Sequence, residues 1–261
     1  NAGSFVIALV ALKFSFLPLP LLLLFCIIGG FIVSGLFGLI PAYIKIKKDV
    51  SEVITTIMLN FIILALINYF LVDFFAERST MHTHKISDDM MLLKFSDFMP
   101  FFRGSSVNAT FIIAMIIAAA SYIMIYKTNF GYKLRAVGFN ETASKYIGLK
   151  TNRIILIAFF TGAGLTSLAG INFIFGYKGF YESGFSNNVG FTAIAVALLA
   201  KNNPIGIIFS SLLFAVLDYG GLSINQIVPK EIMFVVQGVI ILAILSIDRL
   251  VNIYYRRKGL I

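Results

Sequence analysis

Charge is scarce in this chain, cysteine occurs once and histidine twice. With 13% charged against 59% hydrophobic residues, it falls well below the roughly one quarter charged residues of soluble domains. A water-soluble core could not hide that much apolar surface. The single Cys26 excludes an intrachain disulfide and reads as a small core residue. The only histidines, His82 and His84, share one polar stretch with Asp88 and Asp89. They lack a third firm ligand at a standard spacing, so the sequence points to no metal and no cofactor. Equally missing are a Gly-x-x-x-x-Gly-Lys-Ser/Thr loop to cradle ATP phosphates, a His-Glu-x-x-His helix and a histidine inside an apolar run beside a serine. These absences leave no catalytic residues to name and argue against an intramembrane protease.

What is present is long, charge-free apolar sequence. Leu17 to Ile40, Val53 to Val72, Asn108 to Tyr126, Ile154 to Tyr177, Ser183 to Ala200, Asn202 to Leu217 and Ile232 to Ile247 contain no Asp, Glu, Lys or Arg. Several reach the roughly 20 residues that cross about 30 Å of hydrocarbon as a helix. Backbone amides in lipid must be paired internally, and these runs do not alternate as barrel strands do. The expected fold is all-α, a polytopic transmembrane helical bundle forming a single transmembrane domain over residues 1–261. The chain starts at Asn1 and opens on a short apolar run, Ala2 to Leu12, so N-terminal spans are expected to precede it. No secretory signal is evident.

Positively charged loops are retained in the cytoplasm. With the loop from Lys13 to Pro20 outside, the inside segments collect 14 Lys and Arg against 4 acids, and the outside segments 7 against 8. This bias puts residues 73–107 outside as an extracytoplasmic loop, residues 127–152 inside and the C-terminus in the cytoplasm. It accounts for the formal net charge of +9 without nucleic acid, because the basic residues form no stripe with interleaved aromatics.

Local signals refine the map. Gly30, Ser34 and Gly38 form a small-residue face for close helix packing, as do Gly162, Gly164, Thr166, Ser167, Ala169 and Gly170. Pro41 is expected to end the first long helix. Asn203 is placed to cap a helix starting at Pro204, giving a hairpin or broken helix after Lys201. Asp218 to Glu231, with Gly220, Gly221 and Pro229, reads as an outside segment. In the inside loop Asn140 is an N-cap candidate, Glu141 suits the first turn, and Gly148 is placed to end the helix. Ala143, Tyr146 and Ile147 then share one face, with Ser144 and Lys145 turned elsewhere. Such a face suits either a groove on a partner or the membrane surface. Polar side chains inside the spans are the candidates for the translocation pathway, above all Asn60, Asn68, Asn172 and Gln237; interhelical hydrogen bonding is the competing role.

Four blocks taken together carry a resemblance. They are EVITTIMLN at Glu52–Asn60, Thr128 to Gly148, GLTSLAGI at Gly164–Ile171 and GFTAIAVALLAKNNPIG at Gly190–Gly206. In this order the chain resembles the nucleoside and simple-sugar branch of ABC importer permeases, in the superfamily that also serves ribose and branched-chain amino acids. The likeness runs from about Gly29 to Asp248, and departs where Ala200 stands in place of a common Gly.

The resemblance implies a type II, vitamin-B12-importer-like fold with a broken or re-entrant helix. It also implies a multi-pass subunit of a bacterial plasma membrane, forming half of a pathway for nucleosides, purine nucleosides first, with simple sugars such as ribose as the alternative. Its implied partners are a cytoplasmic ABC ATPase subunit, a second and different permease subunit, an extracytoplasmic substrate-binding protein and membrane lipid. Arg135, Gly138, Asn140, Glu141, Ala143, Tyr146, Ile147 and Gly148 would lie in the ATPase-coupling loop. A secondary carrier or channel is the reading from another class, but it needs a coupling charge at membrane depth, and the apolar runs hold none.

Overall fold

Glycine and serine at four-residue spacing set the first packing event. The computed structural model describes residues 1–75, 80–97, 105–186, 189–223, 232, 235–240, 242, 243 and 246. Helix α1 spans Ala2–Lys13 and α2 spans Leu19–Lys48. Helix α3, Glu52–Phe70, runs on into a π-helical turn at Leu71–Phe75. Helix α4 is Thr110–Lys127, α5 Asn129–Phe139, α6 Glu141–Tyr146 and α7 Thr151–Thr166. The α7 path continues through α8, Ala169–Ile171, and a second π-helical stretch, Asn172–Lys178. Helices α9, Val189–Leu199, and α10, Pro204–Ser223, follow.

Five of these paths are long and apolar enough to cross a membrane: Leu19–Lys48, Glu52–Phe75, Thr110–Lys127, Thr151–Lys178 and Pro204–Ser223. No strand occurs among the described residues, only isolated bridges. The fold is an all-α polytopic membrane bundle.

The chain divides into two compact units, residues 1–114 with 124–185, and residues 115–123 with 186–261. In the first unit α1, α2 and the α7–α8 path meet along their small residues. A Cβ on Gly30 would lie 2.8 Å from the Ile7 side chain, one on Gly38 2.5 Å from Ala163, and one on Gly170 2.6 Å from Ser4. Such approach replaces the hydrophobic drive that lipid removes with dispersion contact. The face of Gly30, Ser34 and Gly38 therefore packs, as do Gly164, Ser167 and Gly170 of the second, whereas Gly162, Thr166 and Ala169 are exposed.

Pro41 does not end α2. It lies buried inside a helix that continues to Lys48, with Ala42 packed beside Val137, Ile154 and Ile155. The lost amide donor costs one helical bond, but tertiary packing holds the last turns, and unwinding would expose more backbone. Asp49, at φ 53°, then turns the chain, and Lys45 reaches Glu52 at 2.9 Å across the corner.

At the other end of this unit, residues 80–97 fold onto 175–183. Thr83 donates its N–H to the Tyr181 carbonyl at 2.9 Å and accepts the Tyr181 N–H on its hydroxyl at 3.0 Å. Ile86 and Leu92 donate to Gly179 and Phe175. Tyr181 is buried against Phe5 and Phe185, and that burial pushes its phenol well above the ordinary range. The His82 ring lies against Phe180, tilted by 32° with centroids 4.5 Å apart, so residues 80–97 form a packed cap over 175–183.

In the second unit α9 and α10 form a hairpin. Lys201 and Asn202 take left-handed φ values of 51° and 57°, and Asn203 accepts the Ile205 N–H at 2.9 Å, capping α10 as expected. Ala200 stays out of the left-handed region, so the turn does not require glycine there. Helix α10 runs past Leu217 to Ser223, placing Asp218, Gly220 and Gly221 within a helix. Intrahelical pairing in an apolar medium outweighs the weak helix propensity of these residues. The rest of the segment expected outside, 224–231, and the C-terminal tail from Asp248 lie outside the described residues.

Candidate functional site

Thr128 begins the segment between α4 and α7. Its hydroxyl accepts the Gly131 N–H at 3.1 Å and donates to the Met124 carbonyl at 2.5 Å, joining the end of α4 to the start of α5. Gly131 lies so close under the carbonyls of Met124 and Ile125 that any Cβ would collide with them. The segment therefore leaves the span through a tight corner. Neither residue stood out among the sequence candidates; a Thr followed three residues later by Gly is a common pattern, and only the fold shows the corner.

α5 is fastened by its apolar side. Val137 is buried with Ala42, Ile154 and Ile155, and Leu134 packs against the same cluster. Arg135, on the same helix, sets its guanidinium over the Tyr126 ring, 5.1 Å from the centroid, and its Nε is buried without a hydrogen-bond partner among the described residues. A cation held this way contributes through the ring quadrupole. Gly138 faces open space, so the chain's own packing does not demand its lack of side chain.

α6 is closed at both ends by the residues that sequence singled out. The Asn140 side chain accepts the Ala143 N–H at 2.9 Å, and Glu141 stands in the first turn, paired with Lys145 at 2.7 Å. Gly148 takes φ +83°; its N–H meets the Lys145 carbonyl and the Leu149 N–H the Ser144 carbonyl, each at 3.0 Å. This double bond pattern is a Schellman closure, which favours glycine at the left-handed position. An isolated helix this short would not persist in water. Its caps and the packing of α5 and α7 hold it.

The consequence is a capped projection with outward apolar side chains. Ser144 is 3% exposed, whereas Tyr146 is 88%, Ile147 73% and Phe139 90% exposed. Ala143 is exposed beside them. The predicted face of α6 thus points away from the protein, and Phe139, which the periodicity argument omitted, joins it. Lys45, Lys48, Lys127, Lys133, Lys145, Lys150 and Arg153 stand on the elements at this end.

Each of the four pathway candidates has a hydrogen-bond partner within its own unit. Asn60 accepts from Asn1 at 3.1 Å and Asn68 from Ser183 at 2.7 Å. Asn172 accepts from Asn108 at 3.0 Å and Thr110 at 2.8 Å. Gln237, 4% exposed, donates to Asp218 at 2.6 Å. Among the described residues of the first unit, no hydrogen bond links any two of Asn60, Asn68 and Asn172. Asn60, Asn68 and Asn172 remain exposed, and each serves as a tie between segments.

Comparison with known proteins gives a consistent relation. The family described as branched-chain amino acid transport system / permease component matches residues 2–245. The chain is 33% identical over 237 residues to nucleoside ABC transporter permease protein NupB of Lactococcus lactis subsp. cremoris, covering 88% of this chain and 65% of that protein. It is 32% identical over 239 residues to guanosine ABC transporter permease protein NupP of Bacillus subtilis, covering 89% and 66%. It is 30% identical over 261 residues to glucose ABC transporter permease protein TsgB13 of Haloferax volcanii, covering 92% and 66%. The chain spans about two thirds of the length of these curated relatives. No solved structure matches. A match over nearly the whole chain, on a multi-pass helical bundle, decides the assignment: the chain belongs to the branched-chain amino acid transport system permease family, whose members are membrane transport subunits.

Proposed function

We propose that this chain is the permease subunit of an ATP-driven ABC importer and forms half of a translocation pathway for nucleosides, purine nucleosides first. The observation that carries the reading is the α5–α6 projection, a capped helix presenting Tyr146, Ile147 and Phe139 outward from a lysine-rich end. An apolar face this exposed on a fixed scaffold suits insertion into a groove of another protein. The occupant is a cytoplasmic ATPase subunit, since the chain has no phosphate-cradling loop of its own. Residues 127–152 are then the coupling loop, residues 73–107 face the extracytoplasmic side, and the C-terminus is cytoplasmic. A second, different permease subunit completes the pathway, and an extracytoplasmic binding protein delivers solute to it in a bacterial plasma membrane. Residues 1–261 act as one transmembrane permease domain.

Nucleosides are favoured because two relatives that share about a third of their residues with this chain are named for nucleoside or guanosine transport. Sugars are the second reading, supported by the relative named for glucose. The deciding experiment is uptake of labelled guanosine, ribose and glucose by cells expressing the complete transporter. Guanosine uptake that stops when the ATPase subunit is inactivated is the expected result. Uptake that persists without a functional ATPase would overturn the importer reading, and sugar uptake alone would move the chain to the second.

A further inference from the structure

α10 carries a single carboxylate, Asp218, about 21 Å from the helix start at Pro204, and no lysine, arginine or histidine. Asp218 is exposed, within a segment long and apolar enough to span the membrane. A carboxylate turned toward hydrocarbon is costly, and such groups in membrane proteins face water or a protein interior. This one is also held in place. The buried Gln237 directs its amide N–H to Asp218 Oδ1 at 2.6 Å. That bond leaves Asp218 Oδ2 and Gln237 Oε1 as acceptors, and no cation pairs with Asp218 among the described residues. Two acceptors on hydrogen-bonded neighbours match two adjacent hydroxyl donors.

We infer that Asp218, positioned by Gln237, is the contact in the translocation pathway for a vicinal diol of the solute. The inference rests on the import reading above and deepens it by naming the chemical group recognised. Ribosides and free sugars both carry such a diol, so the two sources separate in the test rather than in the chemistry. A bound solute lacking both hydroxyls would take water from Asp218 Oδ2 without supplying a donor in its place, which discriminates more strongly than a lost apolar contact.

The test uses the complete transporter with Asp218→Asn, which keeps the shape and the Gln237 bond. Guanosine uptake is expected to fall tenfold or more, with 2′,3′-dideoxyguanosine uptake staying within twofold of the unsubstituted transporter. A parallel fall for both solutes, or no fall for either, overturns the inference while leaving the import reading intact. A second readout places a thiol at Leu222, one turn from Asp218 and exposed, in a chain with Cys26→Ala. A charged thiol reagent should modify Leu222→Cys. Guanosine or ribose should slow that reaction several-fold, dideoxyguanosine should not, and the protection should vanish with Asp218→Asn. Whichever of guanosine and ribose protects at lower concentration identifies the source of the diol. An unreactive thiol, or equal protection by dideoxyguanosine, overturns the assignment. A transporter that imports neither nucleoside nor sugar fails earlier, at the reading of function.

Discussion

Phe31 and Phe160 meet edge-on, with centroids 5.7 Å apart, and each ring lies over a glycine of the opposite helix. Phe160 of α7 covers Gly35 of α2, and Phe31 of α2 covers Gly164 of α7. Each glycine stands four residues after the phenylalanine of its own helix, so the contact is reciprocal. A Cβ on Gly35 would lie 2.6 Å from Phe160, and one on Gly164 2.7 Å from Phe31. Because the obstructing atoms belong to a side chain, relief is available. Gly35→Leu should lower stability in detergent by about 1–3 kcal/mol through overpacking, and Phe160→Ala in the same chain should recover part of that loss. Thermal unfolding of the single and double variants checks both; additive losses would show that the ring and the glycine are not coupled.

Tyr146 and Asn140 separate docking from folding. Tyr146 is almost fully exposed, so Tyr146→Asp should change stability by no more than about 0.5 kcal/mol. It should nevertheless reduce recovery of the ATPase subunit with the purified permease several-fold, by placing charge in an apolar contact. Asn140→Ala removes the acceptor for the Ala143 N–H and should cost α6 about 0.5–2 kcal/mol. Its effect on ATPase recovery should be relieved by Asn140→Ser, which restores a cap. Full recovery of the complex with Tyr146→Asp would refute the docking role.

The ends of α6 were legible in sequence because capping is local: Asn140, Glu141 and Gly148 each act within one turn. Small-residue faces were legible as sites of close approach, but four-residue spacing does not name the partner, and only the fold brings Gly35 and Gly164 to opposite rings. Pro41 and the glycines after Asp218 leave their helices unbroken for one reason. Helix-breaking rules describe chains that water can solvate, whereas in lipid an unwound turn leaves amides unpaired. The π-helical turns at Leu71–Phe75 and Asn172–Lys178 had no signal in composition, and neither did the ties that engage Asn60, Asn68 and Asn172. Those depend on which segments become neighbours.

The hydroxyl of Thr83 gives a test of the cap over residues 175–183. Fully buried, it accepts the Tyr181 N–H, so Thr83→Val keeps the shape and strands that donor. A buried amide left unsatisfied costs about 1–3 kcal/mol. The loss should be local. Limited proteolysis is expected to cut residues 80–97 faster, with the unfolding midpoint of the helices little changed. Thr83→Ser, which retains the acceptor, should protect against cleavage nearly as well as threonine.

Topology follows from the same cap. Met81 is 70% exposed at its edge, and Cys26, the one native thiol, is fully buried. A chain with Cys26→Ala and Met81→Cys therefore offers a single reactive position. If residues 73–107 face the outside, a membrane-impermeant maleimide should label Met81→Cys on intact cells, whereas Tyr146→Cys in the same background should react only after permeabilisation. The two positions are expected to differ, because Met81 lies beyond α3 and Tyr146 between α4 and α7, so a crossing by α4 would separate them. The opposite pattern would invert the charge-based orientation and put the α6 projection outside, where no ATPase could reach it. Equal labelling of both positions on intact cells would show that α4 does not cross the membrane.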